Sequence, residues 1–111
     1  ITLSSASMLS CFANDFGYES SQLNFLKYYS EPNDVIILIS SSGNSDNIVN
    51  CAEYCAEIGL TFYTLTGFSE NSKLRQLNPA VNIWIPVNHY NHVENAHQLL
   101  LLSICDNLRE N

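Results

Sequence analysis

Six consecutive residues, Ser40-Ser41-Ser42-Gly43-Asn44-Ser45, bring together four hydroxyls, a glycine and a carboxamide. Such a stretch can surround a small anion with neutral donors. Ser45 is a good N-cap for a helix beginning near Asp46, and Gly43 permits backbone geometry that other residues resist. The free amides of a helix start, at the positive end of its dipole, favour a negative group. No lysine or arginine lies in the stretch. It has neither the Lys-Ser/Thr ending of a P-loop nor the glycine spacing of a dinucleotide fingerprint, which argues against a nucleoside triphosphate or NAD. A small phosphomonoester suits these donors best. The same residues also suit an ordinary strand-to-helix loop whose serines only cap the helix.

Two further pairs could act on a ligand. Asn14 and Asp15 are read as a loop after a short helix, where Asn and Asp also serve as plain turn formers. Glu94 and His97 stand three apart on a helix and so share one face. Such a pair can bind a metal when other helices supply partners, and it can equally be a polar helix start. His89 and His92, just before that helix, read as loop or cap residues. Cys11, Cys51, Cys55 and Cys105 contain no Cys-x-x-Cys pair, so all four read as buried small hydrophobes rather than disulfide or zinc ligands.

These residues need elements to hold them. Val35-Ile36-Ile37-Leu38-Ile39 is a short, continuous aliphatic run, the pattern of a central parallel strand covered on both faces. The helix after the serines places Ile48, Val49, Ala52, Cys55 and Ala56 at helical spacing and stops at Gly59. Thr61 to Leu65 reads as the next strand, with Thr66-Gly67 ending at the same sheet edge as Ser40. Ser72 to Leu77 reads as a short helix, and Val81 to Ile85, stopped by Pro86, as a strand near an edge. Upstream, Ile1-Thr2-Leu3 reads as a strand end, Ser7 to Asn14 as a brief helix and Tyr18 to Tyr29 as a second. The last helix spans about His92 to Arg109, and its Leu99-Leu100-Leu101-Leu102 run predicts burial on more than one side.

A length of 111 residues fits one domain with one core. Four basic against eleven acidic side chains leave a net charge of −7, which disfavours a nucleic-acid surface. No apolar run is long enough to cross a bilayer and no signal peptide is evident, so the expectation is a cytoplasmic protein without membrane or nucleic-acid partners.

ISSSGNS before a helix, then a strand ending Leu65-Thr66-Gly67, resembles the SIS (sugar isomerase) domain. Cys11 to Glu19 is similar to the "ANDYGYE" segment of the phosphoheptose isomerase branch, and Glu94-Asn95-Ala96-His97 to its "QEVH" helix. The resemblance implies a three-layer α/β/α sandwich with a parallel sheet, residues 1–111 forming one SIS domain that lacks its N-terminal helix and first strand. It implies aldose–ketose isomerisation of a phosphosugar, sedoheptulose 7-phosphate to a heptose 7-phosphate, in lipopolysaccharide or capsule synthesis. The alternative is a non-catalytic SIS module that binds sugar phosphates or regulates assembly. By the same resemblance Asn14, Asp15, Ser40, Ser41, Ser42, Ser45 and Glu94 face the sugar phosphate, and Glu94 is the candidate catalytic residue. Metal-containing members make zinc the cofactor to consider, with Glu94 as a ligand. Leu102, however, stands where the isomerases carry a second histidine. A homo-oligomer, a tetramer by resemblance, completes the expectation.

Overall fold

A computed structural model describes residues 1–111. The element order is α1 (Ala6–Phe16), α2 (Tyr18–Tyr29), β1 (Val35–Ser40), α3 (Asp46–Ile58), β2 (Thr61–Gly67), α4 (Lys73–Gln76), β3 (Val81–Ile85) and α5 (Tyr90–Glu110). The three strands are parallel in the order β1-β2-β3. Ser40 pairs with Thr66, and Thr66 with Trp84, so the strands end along one rim. Alternating strands and helices dictate this arrangement, because each crossover returns the chain to the starting edge.

Side-chain alternation divides the sheet into two faces. Leu38 and Phe62 point into a core with Val49, Cys51, Ala52 and Cys55 of α3, Leu60, and Leu74 of α4, and Leu23 and Leu26 of α2 pack against it. On the opposite face, α5 docks against the end of β2. Helices, sheet and helix make three layers. Burial pushes the Cys51 thiol up to about 12 and that of Cys55 to about 11, so both stay protonated as packing groups. No helix is long and apolar enough to cross a membrane.

Several expectations change. β1 is an edge strand rather than a central one, and Val35, Ile37 and Ile39 are exposed on the face that α5 leaves bare. A continuous aliphatic run marks a strand able to be buried on both faces, without fixing what covers it. Ile1-Thr2-Leu3 forms no ladder; it lines a cleft beside the free edge of β1. The first helix continues to Phe16, and Gly17, at φ 81°, makes the corner into α2. Asn14 and Asp15 therefore sit in the last turn of α1, not in a loop. Cys11 and Cys105 are exposed, since each lies on an outer helix with no layer above it.

The leucine run is not buried within the chain. Leu99 is 68% exposed and Leu102 56%, and Val93 and His97 are the only buried residues of α5. Beyond His97 no residue of this helix is buried. An apolar helix face of this kind, with Ile104 and Leu108 also exposed, is what self-association requires. Light scattering of the full-length protein at micromolar concentration is expected to return an oligomer, and a clean monomer would count against it.

Candidate anion site at the Ser40–Ser45 turn

The chain leaves β1 at Ser40 and turns back on itself. The Gly43 N–H donates to the Ser40 carbonyl at 3.0 Å and contacts Ser40 Oγ at 3.2 Å. Ser40 Oγ, buried, donates to Ser45 Oγ at 3.1 Å. Ser42 Oγ accepts the Asn44 N–H at 3.2 Å. Ser40 is thus occupied in shaping the turn, while Ser41, Ser42 and Ser45 keep partly or fully exposed side chains.

Ser45 holds the N-cap position of α3, as its residue type predicts, but its hydroxyl makes no cap hydrogen bond. Its carbonyl takes the N–H groups of Ile48 and Val49. The amides of Asp46 and Asn47, the first two of the helix, find no acceptor in the chain. Unengaged amides at a helix start, beside three hydroxyls, form a site for an anion.

The turn is clamped from behind. The Gly67 N–H donates to the Ser41 carbonyl at 2.8 Å and the Leu74 N–H to the Gly43 carbonyl at 3.0 Å. Asn44 Oδ1 accepts the Lys73 N–H at 2.9 Å, so the amide of the motif caps α4. Gly43 adopts φ +67°, and a Cβ there would lie 2.3 Å from Ser72 Oγ. Ser72 and Thr66 are fully buried behind it, and neither hydroxyl has a partner.

α5 reaches the same rim. Val93 packs on Gly67 so closely that a Cβ there would lie 2.5 Å from its methyl. The His97 Nε2–H donates to the Thr66 carbonyl at 3.0 Å. A carbonyl only accepts, so Nε2 carries the proton. These two contacts fix the first turns of α5 beside the strand end that bonds to Ser41. Glu94, one residue past Val93, is exposed there and lines a cleft of about 290 Å³ with Ile39, His97, Gln98 and Leu102.

The expected site residues are therefore not all brought together. Asn14 and Asp15 bond to each other at 3.2 Å, and the Cys11 thiol approaches Asp15 at 3.8 Å, but neither bonds to the turn. Their corner is tied to α3 by the Asn50 Nδ2 donating to the Glu19 carbonyl at 3.3 Å. His89 and His92 stack at 4.4 Å, with His89 in the N-cap position of α5. No three His, Cys, Asp or Glu side chains converge as metal ligands. His97 Nδ1 is buried and keeps an unpaired lone pair, but with a leucine at position 102 only Glu94 stands near it on this face of α5, and two such groups alone do not fit zinc. Lys73 is the residue that sequence reasoning missed. Its ammonium lies 3.1 Å from Asp46 Oδ1 beside the turn, a contact across 27 positions that no local pattern signals.

The sequence profile of the SIS domain family matches residues 2–67, more than half of the chain. The chain belongs to the SIS domain family. Its curated relatives include the phosphoheptose isomerase of Histophilus somni, 33% identical over 110 residues, covering 92% of this chain and 54% of the relative. The phosphoheptose isomerase of Serratia proteamaculans is 32% identical over 104 residues, covering 94% and 52%. The chain spans about half the length of the curated relatives it matches. Among solved structures, a phosphoheptose isomerase from Neisseria gonorrhoeae superposes with a TM-score of 0.88 at 24% identity, covering 97% of this chain and 59% of that one. One from Francisella tularensis gives 0.83 at 18%, covering 94% and 55%. This SIS chain shares their fold.

The turn generates a direct test. A Ser42→Ala, Ser45→Ala double variant removes two hydroxyls and leaves the backbone amides, so calorimetric titration with inorganic phosphate should show affinity falling about tenfold or more, at roughly 1 kcal/mol per lost hydrogen bond. Unchanged affinity would remove the turn from the site.

Proposed function

We propose that this SIS chain binds a phosphosugar at the Ser40–Ser45 turn and acts as a phosphoheptose isomerase-like aldose–ketose isomerase on sedoheptulose 7-phosphate. The observation that carries the reading is the pair of unengaged amides, Asp46 and Asn47, at the foot of a hydroxyl-lined turn. It sits at the carboxyl ends of parallel strands, where open α/β sheets bind ligands. Ser41, Ser42 and Ser45 donate to the phosphate, and Ser40 holds the turn in shape. Asn14 and Asp15, which do not bond to the turn, are assigned to the sugar hydroxyls on the family resemblance alone. The similarity to phosphoheptose isomerases supports the substrate class.

In the proposed reaction a base takes the proton from C1 of the ketose, and the C2 oxygen gains a proton to give the enediol. The O1 proton then leaves as the carbon-bound proton is returned at C2, and the aldose forms. One positioned carboxylate can make both carbon transfers. Glu94 is that group, held at the rim by the anchors Val93 and His97. Binding the phosphate at the far end of the substrate supplies orientation. A cytoplasmic setting and a role in surface-polysaccharide synthesis follow from the same reading, and zinc would need ligands beyond these residues.

Leu102 favours a second reading, a sugar-phosphate sensor without turnover, because its side chain has neither a lone pair nor an exchangeable proton. The two separate cleanly. If the protein is an isomerase, Glu94→Gln should lower kcat about 10²-fold or more while phosphosugar binding survives. Full turnover in that variant would exclude Glu94 as the base. A wild-type protein that binds the phosphosugar and converts none would establish the sensor.

A further inference from the structure

The chain carries four lysines and arginines against a net charge of −7. Three are held elsewhere. The Lys27 ammonium lies over the Tyr54 ring at 5.2 Å, the Arg75 guanidinium over Trp84 at 4.7 Å, and Arg109 belongs to the last turn of α5. Lys73 alone stands beside the turn, with its backbone N–H on Asn44 and its ammonium on Asp46. Asp46 is the first residue of α3, and its own amide is one of the two left open. Its carboxylate suits the helix dipole when the site is empty. It repels a bound monoester, which carries close to two negative charges near neutral pH.

We propose that Lys73 is the charge-compensating residue of the anion site, screening the Asp46 carboxylate so that a phosphomonoester can sit on amides that would otherwise lie under an unpaired negative charge. This rests on the phosphate reading of the turn. Two features of the surroundings support it. The backbone at Lys73 is fixed on the turn through Asn44, and the next residue, Leu74, is fully buried in the core, so the side chain starts from a rigid base. The buried, unpartnered Ser72 hydroxyl directly behind Gly43 shows how closely this short helix is pressed onto the turn. The ligand selected is a doubly charged monoester over a neutral sugar, and its affinity should depend on salt through a pair that is itself open to solvent.

The pair is 59% and 62% exposed, so replacing either partner should leave the fold intact, which thermal melting verifies. Calorimetric titration at low salt would use sedoheptulose 7-phosphate, with sedoheptulose as the uncharged control. Lys73→Gln is expected to weaken phosphosugar binding about fivefold, less at higher salt, and to leave the control unchanged. Adding Asp46→Asn should restore affinity to near the wild-type value. Lys73→Gln binding as well as wild type would overturn the proposal. So would a Lys73→Gln, Asp46→Asn double variant as weak as Lys73→Gln, because Lys73 would then be a direct phosphate ligand rather than a screen. A wild-type protein that binds no phosphosugar would overturn the anion site and this inference together, a result distinct from either variant outcome.

Discussion

The arrangement of the site depends on the close approach of Gly43 to Ser72. With φ at +67° and a hydroxyl where a Cβ would go, no other residue fits without displacing α4 or the strand end. That contact lets the Gly43 carbonyl receive the Leu74 amide and lets Asn44 cap the same short helix. A side chain at position 43 would wedge the turn off its support, and the open amides of α3 would lose their fixed relation to the three serines. Gly67 repeats the device on the other side of the rim, where Val93 and the Ser41 carbonyl leave no space for a methyl. Two absent side chains thus hold α4, β2 and α5 around one loop.

Neutral donors suit this setting. A turn built on lysines would hold a phosphate through charge but would order long side chains at an entropic cost. Hydroxyls and main-chain amides are already ordered by the turn's own hydrogen bonds, so a ligand meets donors in place. The helix start contributes partial positive charge without a side chain. What this scheme lacks is compensation for a strongly acidic chain, and a single ammonium across from Asp46 is where the structure places it.

Much of this was legible in the residues. The serine turn, the Ser45 helix start, the stop at Gly59 and the pairing of Thr66 with Ser40 follow from local chemistry and from the parallel order that βαβ connections impose. The remainder depends on what lies against an element. Val35, Ile37 and Ile39 have the composition of a covered strand whether or not a layer covers them. Leu99 and Leu102 likewise mark an apolar helix face and say nothing of its partner. Asn14 and Asp15 prefer turns, but the helix runs through them to Phe16 and stops only at Gly17, the one residue there free to take φ 81°. Ser45 occupies the cap position while its hydroxyl oxygen accepts from Ser40 instead of from a helix amide, a competition between two nearby donors that spacing does not decide. Lys73 was invisible for a plainer reason, since its partner lies 27 residues away.

In this reading the first amides of α3 are the phosphate's ligands. Amide-resolved nuclear magnetic resonance tests it most directly, by following backbone N–H signals while sedoheptulose 7-phosphate is added. The Asp46 and Asn47 amides should move downfield together with those of the serine turn, and uncharged sedoheptulose should leave them in place. Perturbations confined to other surfaces, with Asp46 and Asn47 unmoved at saturation, would contradict it.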